Sequence, residues 1–277
     1  MICALQYAGN RRHTMRTNLI EVDGVAMNRV LRGSRLCELL RGARVLEVLD
    51  EKARERACED GWYGASILLS RALDEDADVV LALRMNDATL PTKHGGPVRV
   101  VVRGVADART VKWVDRIMVQ MVESANIYQM LRMRRARGWW WYRTPALLVI
   151  GIDSVVGVLV NGRTVWRDKE GMVAVKGHAL PSGSNAPVEK VEVSVDEGMS
   201  WVETEILEVP EKVKGRGRLL WAWSLWTAKV KMEKGEKTRI LSRATDGAGV
   251  VRLEVWDWDL RRFAYNGYGE ASDLTVR

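Results

Sequence analysis

The stretch VEVSVDEGMSW, residues 191–201, carries the local pattern that decides the fold of the second half of the chain. Apolar and polar residues alternate as far as Val195, which is the period of a β-strand with one buried face. Residues 196–198, Asp-Glu-Gly, are typical turn formers, so the stretch predicts a hairpin. In that hairpin Val193, Val195 and Trp201 are expected to face the core.

Similar alternation recurs on both sides of the hairpin, from about Ile152 onward. Turn signals rich in Gly, Asp and Asn separate the alternating segments at short intervals, which predicts an all-β sandwich of the immunoglobulin type. The chain has 12 tryptophans and one phenylalanine, and Trp201, Trp223 and Trp226 are expected to pack in this sandwich. The other alternating segments are VAVKGHAL (173–180), VEKVEVSV (188–195), WVETEIL (201–207) and AWSLWTAKV (222–230).

The first half of the chain mixes helical and strand signals, so the fold class expected for the whole chain is α+β. Leucines near helical spacing predict a helix from about Ser34 to Leu49. Two runs rich in Val and Leu, residues 79–85 and 98–105, are bounded by turn residues and predict strands. These strand ends place His94 and Arg99 close to a turn.

Composition restricts the classes of partner and compartment. The formal net charge is +7 and the sequence pI is about 9.4, which favours an anionic partner. The basic residues are spread over both halves apart from one cluster at Arg132–Arg137, so nucleic-acid binding is not expected. Cys3, Cys37 and Cys58 form no Cys-x-x-Cys pair, which argues against a disulfide framework or a zinc site. With no signal-peptide pattern at Met1, an intracellular location is expected.

The segment MLRMRRARGWWWYRTPALLVIG, residues 130–151, interrupts these patterns. Its apolar run contains Pro145 and reaches Asp153 too soon for the roughly 20 apolar residues that a membrane-spanning helix needs. We expect no membrane span, and we interpret the segment as an irregular linker between the two halves.

Three motifs of the first half occur together with the sandwich pattern: YAGNRR (7–12), HGGPVRVVV (94–102) and ARTVKW (108–113). In this order they resemble the sulfite oxidase family, which includes the molybdenum domains of nitrate reductases. The resemblance implies a partial molybdopterin-binding domain at 1–129 and a linker at 130–151. It further implies an immunoglobulin-like dimerisation domain at 152–277, and therefore a homodimer.

The resemblance also assigns roles to individual residues. It implies that Arg12 and Lys112 contact the substrate anion in catalysis. It implies that the molybdenum-molybdopterin cofactor is bound by His94, Arg99, Thr110, Val111 and Lys112. Cations and hydrogen-bond donors of this kind suit a phosphate-bearing cofactor and a small oxyanion.

The chain departs from the family pattern at three places. Tyr7 occupies the position of the family's cysteine ligand, and a phenol with an ordinary pKa of about 10 is a poor substitute for a thiolate. Cys3 lies on the same expected strand, roughly 13 Å from position 7, so it is not expected to replace that ligand. Met133 lies near the sequence position at which the family has a tyrosine of its active site. An N-terminal part of the family's molybdenum domain is expected to precede Met1.

The function implied by the resemblance is oxygen-atom transfer that oxidises sulfite to sulfate, with electrons passed to an unidentified acceptor. Nitrate reduction is an alternative within the same class, although no haem or flavin domain accompanies the motifs. A non-catalytic remnant that retains only dimerisation is the alternative from another class, and Tyr7 favours it. The expected compartment is mitochondrial or cytosolic.

Overall fold

The computed structural model describes ten parts of the 277-residue chain: residues 1–6, 26–43, 63–122, 124, 126, 150–159, 161–183, 186–209, 219–251 and 267–277. The motif YAGNRR, Met133 and most of the expected linker at 130–151 lie outside the described residues. The expected domain boundaries at 129/130 and 151/152 border this same gap, so they stay predictions.

The first half is built around an antiparallel sheet whose strands are β1 (Ile2–Gln6), β2 (Ala26–Arg35), β3 (Val80–Met85), β4 (Ala88–Thr89) and β5 (Arg99–Val101). Strand β2 pairs with β1 and β3, and the far edge of β3 pairs with both β4 and β5. The apolar runs predicted as strands correspond to β3 and β5. Their inward side chains pack in one core with Cys3 and Leu31.

Two short helices cover this sheet: α1 (Leu36–Gly42) and α2 (Leu69–Leu73). The leucine spacing correctly predicted α1, in which Leu36 and Leu40 are buried and Leu39 is exposed; residues 44–49 lie outside the described part. The described residues are mostly β, so the expected α+β class is not confirmed by them.

The second half is a sandwich of two sheets that enclose one apolar core. The five-stranded sheet has the order β10–β9–β13–β14–β7, and the four-stranded sheet has the order β11–β12–β8–β6. Every pair is antiparallel except β14 with β7. The strands are β6 (Asp153–Val156), β7 (Thr164–Val165), β8 (Met172–Leu180), β9 (Val188–Ser194), β10 (Val202–Glu203), β11 (Glu205–Ile206), β12 (Ser224–Lys231), β13 (Gly235–Asp246) and β14 (Gly269–Val276).

The predicted hairpin is present, with Val202 of β10 opposite Val193 of β9. Its turn uses positive φ angles at Glu197 (60°) and Gly198 (87°). The expectation that Trp201 faces the core is wrong, because this register places Val202 on the face of Val193 and turns the neighbouring Trp201 to the outer face. There its ring lies 4.1 Å from the guanidinium carbon of Arg243.

The other two tryptophans expected in the sandwich differ from each other in burial. Trp226 on β12 is fully buried and belongs to the shared core. Trp223 is only half-buried and lies 5.3 Å from the ring of His178. The sandwich therefore encloses one of the three tryptophans expected to pack in it.

Trp221 joins the two halves. It lies just before β12, yet its buried ring packs in the core of the first sheet and its carbonyl accepts a 2.8 Å hydrogen bond from the amide of Ala4 on β1. The guanidinium of Arg103 lies 5.9 Å from the ring centroid. A Cβ on Gly104 would come within 2.4 Å of the same ring, so the backbone of the first half approaches Trp221 closely.

Among the described residues, no helix is long and apolar enough to cross a membrane.

Candidate functional site

The motifs HGGPVR and RTVKW lie side by side because backbone hydrogen bonds connect β5 to the segment at 110–114. The amide of Val100 donates to the carbonyl of Val111 at 2.9 Å, and the amide of Val114 donates to the carbonyl of Val98 at 2.9 Å. The structure therefore brings the five expected cofactor-binding residues together: His94, Arg99, Thr110, Val111 and Lys112.

Glycine is required in the turn that carries His94. A short 3-10 turn, Thr92–His94, ends at Gly95, whose φ is +105°. A Cβ on Gly95 would lie 2.8 Å from the side chain of Lys112, so the turn and Lys112 are in close contact. Trp113 stabilises this contact with two hydrogen bonds. Its amide donates to the Gly95 carbonyl at 3.1 Å, and its indole donates to the Thr92 carbonyl at 2.8 Å.

Arg99 lies beneath this turn with its side chain only 4% exposed. Its guanidinium donates to the carbonyl of His94 at 3.2 Å, to the hydroxyl of Thr110 at 2.6 Å and to the carboxylate of Asp107. Its Nε is buried and has no hydrogen-bond partner. Arg99 thus ties the His94 turn to the Thr110–Lys112 segment from the inside.

Cations surround His94. Burial, followed by the charges of Lys93, Lys112, Arg29 and Arg99, lowers the pKa of His94 below its ordinary value. The ammonium of Lys112 donates to the carbonyl of Lys93 at 3.2 Å, which holds the charge of Lys112 against the backbone of the His94 turn. We call Arg29, Lys93, Arg99 and Lys112 together with His94 the cationic cluster. It concentrates positive charge beside the imidazole of His94, an arrangement suited to a phosphate group.

The cluster supplies donors for the phosphate of a pterin cofactor but not ligands for a metal. Among the described residues, no group of three or more His, Cys, Asp or Glu side chains could hold a metal ion. Cys3 is fully buried in the first core, and burial raises the pKa of its thiol to about 11, so it stays protonated. The expected site residues Tyr7 and Arg12 lie outside the described residues.

Sequence reasoning missed three residues of this site. Lys93 directly precedes His94 and could have been included with it. Asp107 directly precedes the motif at 108–113 and could have been included with it; it begins the 3-10 turn Asp107–Arg109. Arg29 lies on β2, and only the tertiary fold brings it to the cluster.

Two family profiles match the chain. The oxidoreductase molybdopterin binding domain matches residues 1–128, and the Mo-co oxidoreductase dimerisation domain matches residues 144–270. Sulfite oxidase of Arabidopsis thaliana is 33% identical over 93% of this chain and 71% of its own length. The chain belongs to the sulfite oxidase family.

Other members of this molybdopterin oxidoreductase family are similar to the chain over most of its length. Human mitochondrial sulfite oxidase is 34% identical over 95% of this chain, and the chain spans about half of that relative's length (50%). A rice NADH nitrate reductase is 30% identical over 91% of this chain and 30% of its own length. In fold, the chain matches the sulfane dehydrogenase SoxCD of Paracoccus pantotrophus with a TM-score of 0.71 and 20% identity, over 99% of this chain and 70% of the other.

Proposed function

We propose that this chain binds the molybdenum cofactor through the phosphate of its pterin, and that its substrate is a sulfite-type oxyanion. The observation that supports cofactor binding is the cationic cluster, in which Lys93 and Lys112 adjoin the imidazole of His94 at a glycine turn. When bound, the cofactor supplies oxygen-atom transfer to the oxyanion and passes two electrons to an acceptor.

In this proposal the residues of the chain bind the cofactor and the substrate and orient them. Lys93 and Lys112 attract the phosphate, and the imidazole of His94, whose pKa is lowered by burial and by the neighbouring cations, offers a hydrogen-bond donor. The glycine turn allows Lys112 to approach, and the buried Arg99 fixes the turn from below. Arg12 and Lys112 are the proposed contacts of the substrate anion, in keeping with the family resemblance.

In this proposal, Tyr7 weakens retention of the metal but not binding of the pterin. A phenol at the position of the cysteine would supply no thiolate, so the chain itself would contribute little to holding molybdenum. We therefore propose that the chain keeps the pterin and loses much of the metal. Sulfite is favoured over nitrate because the human and Arabidopsis sulfite oxidases are 34% and 33% identical to the chain, whereas the rice nitrate reductase is 30% identical.

The test is to purify the full chain from a host that makes the cofactor, and to measure bound pterin by fluorescence after oxidation. Lys112→Met removes a charge of the cluster, and Lys229→Met removes an exposed charge of the sandwich as a matched control. We expect wild type and the control to retain pterin and Lys112→Met to retain several-fold less. Absence of pterin from wild type, or equal retention by Lys112→Met, would overturn the proposal. Parallel assays with sulfite and nitrate decide the substrate.

A second candidate function is a dimerising scaffold without turnover. It is favoured by the apolar core that the described residues of the sandwich form, together with the replacement at Tyr7. Homodimerisation through this half is also part of our proposal. Sedimentation of the full chain tests it, and a dimer that carries no pterin would favour the scaffold.

A further inference from the structure

Asp107 differs from the other charged residues around the cationic cluster because it is acidic and pairs with the buried cation. Its Oδ1 accepts hydrogen bonds from the Arg99 guanidinium and from the Thr110 hydroxyl, the latter at 2.7 Å. The side chain of Arg99 is 4% exposed, whereas that of Asp107 is 32% exposed. Asp107 is therefore the solvent-facing member of this ion pair, and Arg99 is the buried member.

A guanidinium buried to this degree requires an opposite charge nearby, since an unpaired charge in the interior is strongly destabilising. Asp107 provides that charge from within the chain. The remaining hydrogen bonds of Arg99 go to the His94 carbonyl and the Thr110 hydroxyl, so the described donations of its guanidinium are all internal. Two of its three nitrogens are thus engaged with the chain itself, and only the buried Nε has no partner.

We propose that Asp107 is the internal counter-ion of Arg99 and sets the affinity of the cationic cluster for phosphate. Arg99 then acts as a positioning residue that holds the His94 turn against the Thr110–Lys112 segment. The phosphate is attracted by Lys93 and Lys112 beside His94, and Arg99 adds only the charge that Asp107 leaves uncompensated. This inference rests on the proposed function and deepens it, because it identifies which cations remain available to the ligand.

The change that isolates the charge of Asp107 is Asp107→Asn. The amide oxygen of asparagine can still accept from Arg99 and Thr110, so the local geometry is kept while one negative charge is removed. Arg99 then contributes its full charge to the cluster. The expected result is a dissociation constant for inorganic phosphate about fivefold lower, the effect of one unit charge a few ångströms away in a partly solvated site.

The experiment measures binding of inorganic phosphate to the full chain by calorimetry and by phosphorus NMR line broadening at constant ionic strength. Asp273→Asn, an exposed acid on β14 in the sandwich, makes the same change in net charge and is expected to bind as wild type does. If the Asp107→Asn variant does not fold, Asp107→Ser is measured in its place, because the serine hydroxyl can also accept a hydrogen bond from Arg99. Equal or weaker binding by the Asp107 variants overturns the inference, and so does the absence of measurable binding in every variant.

The same samples separate this inference from the proposed function. If the Asp107 variants bind phosphate more tightly but neither they nor wild type retain pterin, the counter-ion role holds and cofactor binding fails. If wild type retains pterin but the Asp107 variants show no gain in phosphate affinity, cofactor binding holds and the counter-ion role fails.

Discussion

Replacing Trp221 by alanine should destabilise the first sheet more than the sandwich, although Trp221 lies in the part of the chain matched by the dimerisation profile. The ring is 2% exposed and packs against Gly104, so its removal leaves a cavity that the close backbone cannot readily fill. Truncation of a buried tryptophan costs about 3–5 kcal/mol. Loss of the contact with Arg103 adds about 0.5–1 kcal/mol, so we expect a total of about 3.5–6 kcal/mol.

Trp226→Ala is the matched variant, because it removes the same side chain from the fully buried core of the sandwich. Hydrogen exchange followed by mass spectrometry reports the two regions separately in the intact chain. Peptides from β2 should lose protection in Trp221→Ala, and peptides from β12 should lose it in Trp226→Ala. If Trp221→Ala left β2 unchanged and loosened only the sandwich, the assignment of Trp221 to the first core would be wrong.

Three further predictions concern the metal, the cluster and the hairpin turn. The chain should purify with little molybdenum by elemental analysis, and Tyr7→Cys alone should not restore sulfite oxidation; stoichiometric metal and robust turnover in the unmodified chain would contradict this. By NMR titration, the pKa of His94 should rise in Lys112→Met, because a neighbouring positive charge is removed; an unchanged pKa would argue against the cluster. Hydrogen bonds from Ser200 lower the pKa of Asp196 from 3.8 to about 2, so its contribution to stability is complete above about pH 4 and is lost as the pH falls through about 2. The difference in Tm between wild type and Asp196→Ala should therefore shrink on acidification to pH 2, and a constant difference would refute the assignment.

The sequence predicted β8, β9 and β12 and the region of β10 and β11, because alternation is a local property that residues such as Val191 and Val193 display directly. It did not predict β6, β7, β13 or β14. It failed at Trp201 because the face of that residue depends on which residue of β9 lies opposite Val202. Register is a relation between two strands, and neither strand shows it alone.

The candidate site was predictable only in part for a related reason. The residues of HGGPVR and RTVKW were indicated by their resemblance to a family, and the hydrogen bonds of Val100 with Val111 and of Val114 with Val98 account for their proximity. Arg29 belongs to no motif of that resemblance, and its proximity to the cluster comes from the packing of β2. Asp107 adjoins the motif at 108–113, but its ion pair with Arg99 depends on a 3-10 turn that composition and spacing do not reveal.

The short segment Val202–Ile206 supplies an edge strand to each sheet, β10 on one and β11 on the other. These strands and β7 have two residues each, so three of the four edges in the described part of the sandwich offer few free amides and carbonyls for another strand to pair with. Short edges of this kind protect β-proteins from open-ended aggregation. Self-association of this half should therefore proceed through side chains on the sheet faces and stop at a closed pair, whereas strand addition at an edge would favour growth into fibrils.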